Sequence, residues 1–230
     1  MADLTPDLLE SLRQFSSCTI SNTVETFNVR PRNKGFMTPN IKCIFPDLGN
    51  MIGYAVTAVI QAEAPPSSRM NASRIDFIDE ILKIPEPRVI VMKDLDYPNV
   101  IGSFWGEVQM NIHGAVNCVG TVTDGGVRDL DEMHERGFFA FASDVLVSRS
   151  YVHLVELNVP VNVGGVDVNP GDLIMGDKHG VINIPKDIAA DIPEAVIGVE
   201  AREKVMIDFC QSPDFTVDGL RDQLRKMYGG

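Results

Sequence analysis

The chain has 230 residues, enough for one large domain or two small ones with a substantial core, and 44% of them are hydrophobic and 23% charged, as in ordinary globular proteins. Its formal net charge of -12 repels a phosphate backbone, and Lys and Arg are scattered apart from "RPRNKG" (30–35), which reads as a solvated loop; a nucleic-acid partner is not expected. No run of eighteen apolar residues occurs and "MADLTPDLLESL" lacks the pattern of a secretory leader, so the expectation is a cytoplasmic protein that does not enter a membrane. Cys18, Cys43, Cys118 and Cys210 are far apart in no metal-type spacing, and three of them sit in apolar surroundings as reduced core thiols do.

In chain order, "LTPDLLESLRQF" predicts a helix with Thr5 as N-cap and Pro6 at its first position. "TISNTVETF" predicts a second short helix. The β-branched runs 52–62 and 88–94 predict strands, and "NASRIDFIDEIL" between them predicts a helix with Ile75, Ile78 and Ile81 recurring every third residue. "SFWGEVQMNIHG" predicts a helix with Phe104, Val108 and Ile112 on one face and Gly114 as its stop. Strands follow at 115–123 and 138–142, so the middle of the chain alternates strand and helix as α/β sheets do.

From residue 151 the chain is rich in Val and Ile, broken by Gly-Gly, Pro-Gly and His-Gly, which predicts antiparallel strands and hairpins. A helical tail starts at about 186, and "VDGLRDQLRKM" predicts one more helix. With no linker or internal repeat, residues 1–230 read as a single domain.

The stretch "VTDGGVRDLDEMHERG" (122–137) runs from strand to helix and carries an Arg–Asp pair at the junction. Asp129 with Glu132 fits a capping box and Gly137 a helix stop. Arg128 has no such explanation, because a cation at a helix N-terminus opposes the macrodipole. Strand C-termini are where open α/β sheets bind ligands, and Gly125 and Gly126 let something approach the backbone closely. In "FWGEVQ" (104–109), Gly106 opens a helix, leaving free amides suited to a carboxylate or phosphate; it could equally be a plain cap, with Glu107 complementing the dipole.

These motifs, with "GYAVTAV", "GTVTDGGVRDLDE" and "VPVNVGGVDVNPGDLIMGDKHGVINIP", resemble the RraA-like family over most of the chain. That family contains class II pyruvate aldolases acting on 4-hydroxy-4-methyl-2-oxoglutarate and 4-carboxy-4-hydroxy-2-oxoadipate, and regulators of ribonuclease E. The aldolase signature is an Asp, twenty intervening residues, then Arg-Asp; the regulators have Gly at the first place. Here Glu107 stands there, with twenty residues between it and Arg128, which keeps a carboxylate on a longer stem and leans toward the enzymes.

The resemblance implies an αββα-type sandwich, a swivelling-domain-like α/β fold with a mixed sheet. It implies a divalent-metal-dependent lyase that cleaves a 4-hydroxy-2-oxo acid to pyruvate or decarboxylates oxaloacetate; the alternative is a non-catalytic acidic regulator that binds and inhibits ribonuclease E. Amides around Gly106, Glu107, Val108 and Gln109 would hold the substrate carboxylate, and Arg128 the 2-oxo oxygen. Asp129 would ligate Mg²⁺ or Mn²⁺, and Glu107 would hold or deprotonate a water on that metal. The family's homotrimers, or multiples of them, have sites between subunits completed by a Glu from the neighbour's C-terminal helix, for which Glu200 is the first choice and Glu203 the second. His153 and His179 read as structural, His113 and His134 as surface residues, Asp172 and Asp177 as turn residues bonding their own backbone, and Trp105 as packing beside the anion-binding turn.

Overall fold

The computed structural model describes residues 4–66 and 72–229; Met1–Asp3 and Asn71, where the third predicted helix was to start, lie outside them. Helices α1 (Pro6–Arg13) and α2 (Ser17–Thr26) lead through the short β1 (Lys42–Cys43) into β2 (Met51–Gln61). Then come α3 (Arg74–Ile81), β3 (Arg88–Asp94), α4 (Glu107–Gly114), β4 (Cys118–Val127), α5 (Leu130–Glu135) and β5 (Phe139–Val145). Strands β6 (His153–Leu157), β7 (Val161–Val163), β8 (Val166–Val168), β9 (Leu173–Asp177) and β10 (Gly180–Ile184) form the β-rich half, followed by α6 (Ile192–Gln211) and α7 (Val217–Tyr228). No helix among the described residues is long and apolar enough to cross a membrane.

The main sheet has the order β1-β5-β4-β3-β2-β9-β10, with β6 pairing the far end of β2. Strands β2 to β5 are mutually parallel, while β1, β6, β9 and β10 join antiparallel, which gives the mixed sheet of the expected α/β class. Alternation along β2 explains why its sequence is an almost unbroken apolar run. Ile52, Tyr54, Val56, Ala58 and Ile60 face a core shared with α1 to α6, and Met51, Ala55 and Val59 face a second core. That second core is closed by the β7–β8 ribbon through Val161, Val163, Val166 and Val168, so the central strands are buried on both sides. Helices therefore cover one face of the sheet and a β-ribbon the other.

Several local expectations hold for the reasons given. Thr5 caps α1, its hydroxyl accepting from the Leu8 amide, with Pro6 at N1. Gly137 has φ +70°, and the bonds Phe138 N–H to Met133 O and Gly137 N–H to His134 O close α5 as a Schellman motif. Asp172 accepts from the amide of Asn169, and Asp177 from that of His179.

Other expectations fail. Helix α4 begins at Glu107 rather than at Ser103, because Trp105 is drawn into a parallel bridge with Val127 at the edge of β4. The inward face of α4 is then Met110 and His113, while Val108 and Ile112 are exposed. His113 is not a surface residue: burial drives its pKa down to about 4, so the ring is neutral among Phe77, Phe104 and Trp105. In α3 the buried residues are Phe77 and Ile81, and Ile75 points outward. Of the four thiols only Cys118 is buried; Cys18 and Cys210 are exposed.

Asp177 does more than turn a hairpin. Its carboxylate, 3% exposed, also accepts from the Ser17 amide and hydroxyl, both at 2.7 Å, and so ties the first residue of α2 to the β9–β10 hairpin. Asp177→Ala would strand two buried donors, the Ser17 amide and hydroxyl, and urea denaturation should register a loss of about 3 kcal/mol.

Candidate functional site

Arg128 and Asp129 follow directly on β4, at the C-terminal end of the parallel strands. Asp129 adopts φ 56°, ψ 53°, a left-handed conformation that costs a non-glycine residue energy. It is the N-cap of α5 by position only, because its side chain makes no capping bond and the expected capping box with Glu132 does not form. The left-handed turn instead sends the carboxylate to the preceding helix, α4, where Oδ2 accepts from the Glu107 amide at 2.9 Å.

Gly106 is what allows that reach. Its φ of -177° is extended backbone open to any residue, so the constraint is steric. A Cβ there would stand 2.6 Å from Asp129 Oδ2 and 3.3 Å from both Cγ and Nε of Arg128. The stem of Arg128 thus packs on Gly106, and its half-buried guanidinium has no hydrogen bond or ion pair among the described residues. Beside it, the first-turn amides of Val108 and Gln109 have no acceptor among the described residues. The Glu107 amide, one of the four expected to hold a ligand, is already engaged by Asp129.

The structure therefore brings Gly106, Glu107, Val108, Gln109, Arg128 and Asp129 into one place. A free cation, two free amides at the start of an eight-residue helix, and a carboxylate with one unengaged oxygen line it. The arrangement can accept an anion, because the guanidinium and the helix N-terminus point positive charge at the same spot. It also suits a hard cation. Asp129 has an oxygen to give, and Glu107, whose amide it holds, is exposed and carries a second carboxylate. No group of three or more His, Cys, Asp or Glu arranged for a metal occurs among the described residues, so a cation here would keep several waters, as Mg²⁺ does.

Glu200 and Glu203 are not joined to this place by any hydrogen bond or ion pair among the described residues. Glu200 is exposed on α6, which packs on α1 and α2, and Glu203 accepts from Asn22 at 3.1 Å. The His153 ring bonds the Tyr151 carbonyl and the His179 amide donates to the Asp177 carboxylate, and Trp105 is wholly buried with Phe104 and Phe138.

Behind the Arg128–Asp129 turn lies a polar cluster that sequence reasoning passed over. Asp124 accepts from Lys93 Nζ at 2.5 Å and from the Asp94 amide at 2.8 Å. Asp94 ends β3 with a fully buried side chain. What comes close to Gly125 is the Asp94 carboxyl, and what comes close to Gly126 is Leu146; neither is a ligand. Burial raises both carboxyls, Asp94 to about 6, with the charges of Asp96 and Asp124 adding to the effect. The signal in the sequence was a Lys-Asp pair closing an otherwise apolar strand.

A carboxyl whose folded-state pKa is raised favours folding when protonated. Its contribution is complete below the unfolded value near 4 and is lost as pH climbs through about 6. At pH 8 the ionised Asp94 then costs about 3 kcal/mol. Asp94→Asn lacks this penalty: its urea stability should match wild type near pH 4 and exceed it by up to about 3 kcal/mol at pH 8.

Known proteins agree with the fold and the motifs. The family model for RraA-like proteins (Aldolase/RraA) matches residues 17–183. Protein DlpA of Legionella pneumophila is 24% identical over 88% of this chain and 31% of its own length. A Halalkalibacterium halodurans protein named "Putative 4-hydroxy-4-methyl-2-oxoglutarate aldolase" is 30% identical over 53% of this chain and 57% of its own length. The matches thus span from about a third to under three fifths of these curated relatives. The crystal structure of Streptomyces coelicolor RraAS2, described as an unusual member of the RNase ES inhibitor RraA protein family, superimposes with a TM-score of 0.68 at 20% identity, covering 89% of this chain and 98% of that one. With the family match extending from α2 to β10, the chain belongs to the RraA-like family.

Proposed function

We propose that this protein is a divalent-metal-dependent carbon–carbon lyase acting on 2-oxo acids. It cleaves a 4-hydroxy-2-oxo acid to pyruvate by retro-aldol reaction, or decarboxylates oxaloacetate through the same pyruvate enolate. One observation carries the reading: the guanidinium of Arg128, unpaired among the described residues, packs on Gly106 next to the amides of Val108 and Gln109, which have no acceptor among them.

These groups divide the substrate between them. The two amides bind its carboxylate at the positive end of α4. Arg128, always charged and forked, bonds the 2-oxo oxygen. As the C3–C4 bond breaks, its electron pair moves into the pyruvyl unit and negative charge grows on that oxygen. A guanidinium already in position stabilises this transition state more than the ground state. In the retro-aldol case the 4-hydroxyl proton leaves through a water to Glu107, and the same proton returns from Glu107 through water to C3, completing pyruvate. Mg²⁺ or Mn²⁺ bound by Asp129, with Glu107 holding a water beside it, would add Lewis acidity at the same oxygen.

The exposed apolar residues Ile197, Val205 and Ile207 of α6 and Leu224 and Met227 of α7 support assembly with further copies. In a homotrimer of the family type, Glu200 of a neighbour would complete the site. The -12 charge is compatible with the second reading, a regulator that binds ribonuclease E, and RraAS2 belongs by its description to an inhibitor family. Glu107, where that branch has Gly, favours the enzyme.

With Mg²⁺ and oxaloacetate, pyruvate release should depend on the metal and fall at least a hundredfold in Arg128→Ala, about 3 kcal/mol of lost transition-state stabilisation. Undiminished release by that variant would sink the enzyme reading. Gly106→Ala should lose tenfold or more of the activity with little change in Tm, because the added methyl displaces Asp129 and Arg128 and leaves the cores alone.

A further inference from the structure

The end of β4 that delivers Arg128 rests on a carboxyl group that the proposed chemistry does not use. Asp94 Oδ1 accepts from the Asp96 amide at 2.9 Å, while Oδ2 is buried with no hydrogen-bond partner among the described residues. A Cβ on Gly125 would stand 2.8 Å from that oxygen and 3.2 Å from Asp94 Cβ, so only glycine lets β4 pass over it.

Residues 124–126 of β4 are also held by neighbouring segments. The Asp94 amide and Lys93 Nζ grip the Asp124 carboxylate. The Ser143 hydroxyl of β5 lies 2.8 Å from Asp124 O and 2.9 Å from Gly125 O. The Ser103 hydroxyl spans Gly126 O at 2.7 Å and Trp105 O at 2.6 Å, joining β4 to the segment that ends in Gly106. Arg128 is the second residue after this clamp.

Among the described residues, the charged groups facing Asp94 are Lys93 beside it, Asp96 in the following turn and Asp124 of β4. Two are negative, and the one cation is taken by Asp124. Ionised, Asp94 would leave Oδ2 without donor or counter-charge against Gly125; protonated, it presses no charge on the clamp.

We propose that Asp94 is a positioning residue for the Arg128–Asp129 turn, the proton on its buried carboxyl determining how tightly residues 124–127 are held against the Ser103–Gly106 segment. The consequence for catalysis rests on the reading of Arg128 and Asp129 given above; the structural coupling does not.

Trp105 reports on it directly, being the single tryptophan, wholly buried, bridged to Val127 and bonded through its carbonyl to Ser103. Its emission, followed from pH 4.5 to 8 on the full-length protein, should show a step with its midpoint near pH 6. His113, against the indole, titrates near 4 and falls outside that step. Asp94→Asn should abolish the step and hold the low-pH emission throughout. Absence of the step in wild type, or its persistence in Asp94→Asn, would overturn the proposal.

Should the variant fail to fold, the wild-type protein suffices: the ¹³C resonance of the Asp94 carboxyl and the amide resonances of Gly125 and Arg128 should titrate together. Indifference of those amides to the carboxyl would equally overturn it. A step in Trp105 emission combined with full activity of Arg128→Ala would refute the proposed lyase chemistry and leave the coupling standing.

Discussion

Burial of the parallel strands on both faces is the constraint from which the rest follows. With helices over one side and the β7–β8 ribbon over the other, β2 to β5 have no free face, and a ligand can meet them only at their ends. At the C-terminal end of β4 the chain must leave the sheet, and it does so through a left-handed aspartate. The same end of the layer holds the start of α4. Two residues twenty-two positions apart in sequence are thereby brought within hydrogen-bond distance, Asp129 Oδ2 to Glu107 N–H.

That contact changes the meaning of the Arg–Asp pair. Had Asp129 capped its own helix, Arg128 would have been a cation at a positive helix end with nothing to compensate it. Because the carboxylate crosses to α4, it neutralises one amide there and leaves the next two, with Arg128, as an unshared positive surface. Gly106 is required by the same geometry, since any side chain would occupy the place where the two residues converge.

Much of the architecture was legible because it depends on local patterns. β-branched runs, the Thr5–Pro6 start and the Gly137 stop each have a cause within a few residues, and the elements they predict form. The inward faces of α3 and α4 were not legible, because three-residue spacing of Ile and four-residue spacing of Val108 and Ile112 were outweighed by aromatic packing around Phe77, Phe104 and Trp105. For the candidate site, the residues could be named from the motif, but the Asp129 crossing could not, since it depends on a backbone torsion and on the approach of distant segments. Asp94 was passed over for a related reason: despite the Lys-Asp signal, an acidic residue at the end of a strand looks solvated until neighbouring strands close over it.

The carboxyl-terminal helices stand apart from this economy. No described residue after Val199 is buried, although α6 continues to Gln211 and α7 to Tyr228. The last twelve residues of α6 alone extend roughly 18 Å at the usual rise per residue. Since neither core counts on this arm, its local unfolding is uncoupled from the cooperative melting of the sheet, and it can fray, be clipped or change partners without cost to the strands that carry Arg128. Changes along that arm are then felt in association between copies, and in the Glu200 that a neighbour is proposed to supply, before they are felt in the sheet.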